Sequence, residues 1–483
     1  MNIDQNKTPL FTALKQFKDK NVISFDVPGH KKQPSRSPLV EIVGETGVLM
    51  DANSMKPLDN LSNPTSVIKE AQDLMAKAFN CDKAFFLVNG TTFGVQTMIM
   101  TVCKEHDKII IPRNVHKSAI NSLILCGANP IYVQPEINSR IGISLGVSYE
   151  SYEKAILENQ DAKAIFIVNP TYYGVVSDVK RIIDLAHKYN LVVLVDEAHG
   201  THFYFNDNFP EGAMNLGADM AALSFHKTGG SLTQSSALLL NEKRVKSFDV
   251  QKMINLTQTT SASYLLMASL DLARKLLVNN GERIFDEIYE LSCYARKRLN
   301  EINNIYAFGK ELVDKDCVYD FDETKLSVCT ININLAGIEV YDLLRDKYNI
   351  QVEFGDTNNI LAIISVGDTK ENIDKLIDAI EDISLNAQNT NNLIKMMNFK
   401  TPEVVLTPRK AFYSDKRKVS LEASIGLVSG ESIMAYPPGT PIVSPGERID
   451  EYIINYIKYL KSKGGMLTDM ESKDMKYINV LDI

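Results

Sequence analysis

The chain has 483 residues, 45% of them hydrophobic, which is ample for more than one buried core and excludes a disordered or low-complexity protein. Its 52 Lys and Arg against 60 Asp and Glu give a formal net charge of -8, which argues against a nucleic-acid or anionic-membrane partner and leaves cationic small molecules unrepelled. Six cysteines, Cys81, Cys103, Cys126, Cys293, Cys317 and Cys329, lack CxxC or CxxH spacing; this points to reduced thiols in a cytoplasmic protein, with no metal site expected.

In chain order, the start, Met1-Asn2-Ile3-Asp4, has no signal-peptide apolar core, and no later run is long and apolar enough to span a bilayer. Residues 1–60 read as an arm: an amphipathic segment around Pro9 to Phe17, then the loop Asp26-Val27-Pro28-Gly29-His30-Lys31-Lys32. From 61 to 275, apolar runs at Ala84 to Val88, Lys108 to Ile111, Pro130 to Val133, Ala164 to Val168, Leu191 to Val195 and Ala221 to Ser224 alternate with helical patterns. That alternation predicts a mostly parallel sheet covered by helices. Within it, Val179, Ile182, Ile183 and Ala186 recur at helical spacing behind the N-cap residues Ser177 and Asp178. Residues 276–385 read as a smaller α/β domain. It opens on a helical stripe of Ile284, Ile288, Leu291, Ala295, Leu299 and Ile302, followed by strands at Val328-Thr330-Asn332, Val352 to Phe354 and Ile360 to Val366. Asn386 to Asn392 reads as a linker, and 393–483 as a last module rich in turn signals.

The chemistry concentrates in the second part. Asp196-Glu197-Ala198-His199-Gly200 and Ser224-Phe225-His226-Lys227 each follow an apolar run. A carboxylate and a lysine, each just past a buried strand, are the equipment for holding pyridoxal phosphate. The lysine amine anchors the aldehyde covalently, and the carboxylate keeps the pyridine nitrogen protonated so that the ring drains electrons from the substrate. Asn89-Gly90-Thr91-Thr92-Phe93-Gly94 supplies a glycine, two hydroxyls and a helix start, an arrangement suited to the phosphate, though an ordinary strand-to-helix turn reads the same way. His116, in Arg113-Asn114-Val115-His116-Lys117-Ser118, follows another strand and can lie flat on a ring or be satisfied in a loop.

With Val27-Pro28-Gly29-His30-Lys31, Asn169-Pro170-Thr171-Tyr172-Tyr173-Gly174 and Tyr436-Pro437-Pro438-Gly439, these blocks give the chain, over nearly its whole length, a resemblance to the bacterial ornithine, lysine and arginine decarboxylases. It most resembles their short biosynthetic, arginine decarboxylase-like members. The resemblance implies an α/β fold of the type I pyridoxal-phosphate-dependent, aspartate aminotransferase-like class, with a large domain, a smaller α/β domain and a C-terminal decarboxylase module. It further implies that Lys227 is the covalent anchor, that Asp196 pairs with the pyridine nitrogen, that Ala198 packs beneath the ring and that His116 stacks above it. Gly90, Thr91, Thr92, His199, Ser224 and His226 are implied as further cofactor contacts. Thr260, in Thr259-Thr260-Ser261-Ala262-Ser263-Tyr264, is expected to reach the phosphate of a neighbouring subunit, so a homodimer or a higher homo-oligomer is implied.

The expected reaction is decarboxylation of a basic amino acid: arginine to agmatine first, then lysine to cadaverine or ornithine to putrescine. The proton donor to the alpha carbon is Lys227 or a neighbouring histidine. A cationic substrate tail needs a carboxylate, and Asp26, Asp59, Glu431 and Glu447, with His30, are the candidates. Two positions depart from the family pattern: Asp26 before Val-Pro-Gly-His, and Ser62 where a histidine is common. Two other readings stay open, an aminotransferase or aldolase-type enzyme on the same fold, and a non-catalytic regulatory homologue.

Overall fold

The computed structural model describes residues 4–387, 402–436 and 440–483. The chain divides into two compact units, Met1–Thr101 with Val192–Asp286, and Val102–Leu191 with Glu287–Ile483. The strands that follow the predicted apolar runs, with one addition, are β1 (Lys83–Leu87), β2 (Lys108–Pro112), β3 (Asn129–Val133), β4 (Ala164–Val168), β5 (Val192–Asp196), β6 (Met220–Leu223) and β7 (Ser236–Leu240).

The first unit holds β1, β7, β6 and β5, side by side in that order. β5 and β6 are parallel, with Asp196 opposite Ala222, whereas β7 is antiparallel to both β1 and β6. Every residue of β6 and β7 is buried, as befits near-continuous apolar runs covered on both faces. The expected strands are present, and β7 is an addition to them. Its Ser236-Ala237-Leu238-Leu239-Leu240 run follows a serine-rich loop and carries no alternation to announce it. After β1 the chain turns at Gly90, whose φ of +74° suits glycine, into the helix Gly90–Val102. That helix packs closely on the sheet at Gly94, where a Cβ would come within 3.1 Å of the Ala222 Cβ.

The arm folds into the helix Pro9–Asp19, which starts on a proline and buries Leu10 and Leu14. Its N-terminus is held by a fully buried pair: Asp271 Oδ2 accepts from the Leu10 and Phe11 amides, while Arg274 donates to the carbonyls of Gln5 and Lys7 and to Asp271. Both partners sit on a helix that runs from Tyr264 to Asn300. The expected boundary at 275/276 therefore falls inside a continuous helix, because the apolar stripe already begins at Tyr264, Met267, Leu270 and Ala273, all buried.

The second unit contains β4, β2 and β3, mutually parallel and in that order. The predicted helix forms over Val179–Lys188, with Asp178 accepting from the Arg181 amide as its cap. A smaller antiparallel sheet follows: β8 (Tyr306–Phe308), β9 (Lys325–Cys329), β10 (Phe354–Gly355) and β11 (Asn359–Ile363), in the order β8-β9-β11-β10. The expected strand Val328-Thr330-Asn332 is corrected here. β9 ends at Cys329, because the Thr330 hydroxyl bonds the Leu335 carbonyl and the chain turns through Ile331–Ile333.

In the C-terminal part, Ile433–Tyr436 pairs with Thr440–Val443 and Met466–Thr468, and Lys416–Ser420 pairs with Tyr477–Leu481. The helix Glu451–Ser462 buries Ile453, Ile454, Ile457 and Leu460 in one cluster with Ile433, Val443, Ile478 and Val480. Asn386 closes the helix Lys370–Asn386; the remainder of the predicted linker, 388–392, and Pro437, Pro438 and Gly439 lie outside the described residues. Among the described residues, no helix is long and apolar enough to cross a membrane.

Candidate active site

In the first unit the sequence motifs converge at the carboxyl ends of β5 and β6, where open α/β sheets place their ligands. Asp196 is the last residue of β5 and is buried; its Oδ1 accepts from the Ala198 amide at 3.2 Å. Burial raises the Asp196 pKa, and the Lys227 cation works against that rise. Ser224 follows β6, and the short turn Phe225–Thr228 then lifts Lys227 clear of the sheet, half-buried. Its Nζ lies 2.8 Å from His199 Nε2. An imidazole nitrogen can accept a hydrogen bond from the amine. His226 Nδ1 lies 3.1 Å from the Ser235 carbonyl. Glu197, next to Asp196, faces away: it accepts from the Ala213 amide at 2.7 Å and from the Tyr204 hydroxyl, and burial pushes its pKa up to about 8.

Beside these groups lies a cluster of hydroxyls. Thr91 Oγ1 bonds Ser224 Oγ and, at 2.8 Å, Ser236 Oγ. The Gly90 amide donates to the Gln234 carbonyl at 3.0 Å, and the space a Gly90 Cβ would occupy is open to 4 Å. Thr92 is exposed. Ser236 is absent from the candidates the sequence motifs supply, although a Ser-Ser pair opening a buried apolar run is a usable signal. Thr259, Thr260 and Ser261 are exposed on the same unit.

The second unit carries His116, half-buried, as the N-cap of the helix Lys117–Cys126. Its Nδ1 accepts from the Ser118 amide at 3.2 Å and lies 2.9 Å from Ser118 Oγ. Asn169, directly after β4, is fully buried, and neither its Oδ1 nor its Nδ2 has a hydrogen-bond partner among the described residues.

The proposed readers of the substrate tail divide between the units, Asp26, His30 and Asp59 in the first and Glu431 and Glu447 in the second. Asp59 is buried, and its carboxylate accepts from the amides of Asn60, Thr65, Ser66 and Ile68, so its oxygens are spent on the start of the helix Val67–Ala78. Burial alone would raise its pKa, but those amides more than offset it and hold the carboxyl below its ordinary value. Glu447 is buried against Arg113, the protein's own guanidinium. Glu431 accepts from the Glu471 and Asn479 amides and the Asn479 side chain, fastening the C-terminal strand. Asp26 is exposed and bonded to Ser24. His30 accepts from the Lys32 amide at Nδ1 and lies 3.1 Å from Asp51 at Nε2. Ser62 is tied to Asn60 and, through its carbonyl, to Asn255.

Pyridoxal phosphate fits this donor set. A buried carboxylate, a half-buried lysine on an imidazole and a hydroxyl cluster at a helix start, all in the first unit, are groups that a pyridine nitrogen, an aldehyde and a phosphate require. A solved structure described as alanine–glyoxylate aminotransferase from Nostoc sp. matches the chain with a TM-score of 0.54 at 16% identity, over 67% of this chain and 88% of that one. The Francisella novicida lysine decarboxylase LdcF matches with a TM-score of 0.86 at 22% identity, over 98% and 81%. The fold is thus of the aminotransferase-like α/β type, as the sequence resemblance implied.

The sequence narrows this further. The profile described as the Orn/Lys/Arg decarboxylase major domain matches residues 8–372, and that of the family's C-terminal domain matches 391–469. Arginine decarboxylase of Bacillus subtilis (strain 168) is 43% identical over 459 residues, 94% of each chain. The chain belongs to the Orn/Lys/Arg decarboxylase family.

Proposed function

We propose that the protein decarboxylates L-arginine to agmatine and carbon dioxide with pyridoxal 5'-phosphate, as a cytoplasmic enzyme of polyamine biosynthesis. Lysine and ornithine are the next substrates. The observation that carries this reading is the 43% identity to an arginine decarboxylase across 94% of both chains. The placement of Lys227 Nζ 2.8 Å from His199 supports it. When bound, pyridoxal phosphate supplies an electron sink for the pair released with carbon dioxide.

The chain's own residues do the rest. Lys227 holds the cofactor covalently, and His199 is placed to take up or return the proton that its amine must lose and regain. Asp196 offers its buried carboxylate to a protonated pyridine nitrogen, which supplies the positive charge that burial makes favourable. By the family resemblance, Ala198 would pack beneath the ring and His116 would stack on it. Gly90, Thr91, Thr92, Ser224, Ser236 and His226 would bind the phosphate end, joined by Thr260 of a neighbouring subunit. Asp26 and His30 face the substrate's far end from the arm.

A homodimer is the working unit, with 1–60 as an arm and the C-terminal region beyond 392 as a module of its own. The arm exposes Ile23 (84%), Phe25 (93%) and Ile42 (81%), an apolar surface that a second copy would cover. Incubating the purified protein and pyridoxal phosphate separately with arginine, lysine and ornithine, with amines identified by mass, tests the reading. Agmatine is the expected product, and no amine from any of the three would overturn it.

A further inference from the structure

The segment that carries His116 is anchored, inside the second unit, by a side chain from the far end of the sequence. Arg113 follows β2 and is 1% exposed. It donates through Nε to Glu447 Oε1 at 2.9 Å, through Nη2 to Glu447 Oε2 at 2.6 Å, and through Nη1 to the Pro441 carbonyl at 3.1 Å. Glu447 is itself oriented, since its Oε2 accepts from the Ser444 amide at 2.6 Å. Two parallel bonds between planar groups fix direction as well as distance, which a lysine at the same place would not do.

From this anchor each residue up to the histidine is tied. The Arg113 amide donates to the Val133 carbonyl at 3.0 Å, Asn114 Nδ2 donates to Ser144 Oγ at 3.2 Å, and Val115 is fully buried. His116 then caps the next helix through Nδ1, which as an acceptor from the Ser118 amide leaves Nε2 to carry the proton of a neutral ring. A buried ion pair adds little stability over an apolar pair of equal volume, because both charges must leave water, but it specifies one arrangement. An arrangement is what a flat ring stacked on a cofactor needs.

We propose that Glu447 is a positioning residue for His116: by holding Arg113 bidentately it sets the course of the Arg113–His116 segment and with it the plane of the imidazole. The inference rests on the reading of His116 as the group stacked on the cofactor. It makes the C-terminal region a contributor to the reaction without any contact of its own with substrate.

The test is a double-mutant cycle on the holoenzyme with Glu447→Gln, His116→Ala and both together. It is read by kcat and KM for arginine and by the visible circular dichroism of the bound cofactor. Glu447→Gln alone is expected to lower kcat by about tenfold or more, to leave KM within about threefold, and to move the cofactor's dichroism in the direction that His116→Ala moves it. In the His116→Ala background the same substitution is expected to change kcat and dichroism by less than about twofold. An equal effect in both backgrounds, or wild-type kcat and dichroism in Glu447→Gln, overturns the proposal. Should Glu447→Gln give no folded holoenzyme, Glu447→Asp, which keeps the charge, takes its place in the cycle; if neither folds, the pair is purely structural and the proposal is overturned. A wild type that binds the cofactor but decarboxylates none of the three amino acids overturns the proposed reaction alone, and the dichroism cycle still decides on Glu447. A wild type without a cofactor band overturns both.

Discussion

Two lysines of this chain are drawn out of water beside an aspartate, and their surroundings differ in a way that separates structure from chemistry. Lys325 opens β9 and is fully buried; its Nζ donates to Asp322 Oδ2 at 2.6 Å and to Thr324 Oγ1 at 2.9 Å, while Asp322 Oδ1 accepts from the Thr324 amide and hydroxyl. That amine is surrounded by oxygens that want its charge. Lys227 is half-buried against the His199 nitrogen, with Asp196 raised in pKa by burial. An amine beside an imidazole is placed to become a nucleophile, whereas the Lys325 amine is committed to the Asp322 carboxylate and the Thr324 hydroxyl.

Substitution should drive the two lysines in opposite directions. Lys227→Ala is expected to lower agmatine formation by at least ~10³-fold, and to abolish the borohydride-fixed cofactor mass on the Ser224–Lys227 peptide, with unfolding stability within ~1 kcal/mol of wild type. Lys325→Met should do the reverse. By leaving Asp322 buried without its cation it should cost ~3–5 kcal/mol in denaturant unfolding, while the folded fraction keeps its cofactor spectrum. A stable, inactive Lys325→Met would break the distinction.

Smaller effects sharpen it. Asp59→Ala removes a carboxylate that serves backbone amides and should cost ~1–2 kcal/mol of stability. A rise in KM for arginine of tenfold or more without that loss would return Asp59 to the substrate. The smallest effect concerns Glu197, whose pKa of about 8 lies above its ordinary 4.5. The folded state holds a proton there that the unfolded state has lost, so this contribution is full below pH 4.5 and disappears as pH rises through about 8. Glu197→Gln should therefore flatten the fall in melting temperature between pH 5 and pH 8.5, by ~1–3 °C.

Much of this is legible in the sequence because the large sheet uses short apolar runs ending in polar motifs, and the residue after such a run lands at the sheet's carboxyl edge. Asp196, Ser224 and Thr91 are placed by that logic. β7 escapes it, as does Ser236, since a buried antiparallel strand without alternation resembles any apolar stretch. The carboxylates are the least legible. Asp59, Glu431 and Glu447 are all acidic residues near family motifs, and only their hydrogen bonds separate a helix cap, a strand fastener and an arginine clamp from a substrate ligand. The long helix Tyr264–Asn300 reads too short in the sequence, although its first turns already bury the apolar stripe Tyr264, Met267, Leu270 and Ala273, because the buried Asp271 and Arg274 that hold the arm interrupt that stripe with charge.

That docking also sets an order of assembly during synthesis. The helix Pro9–Asp19 leaves the ribosome well before its partner, since the Asp271 carboxylate that receives its Leu10 amide lies 261 residues further on. At ~20 residues per second the arm waits about 13 s or more for its partner. During that interval the helix lacks the Asp271 carboxylate and the Arg274 guanidinium that hold its start, and only the helices made soon after it can cover Leu10 and Leu14.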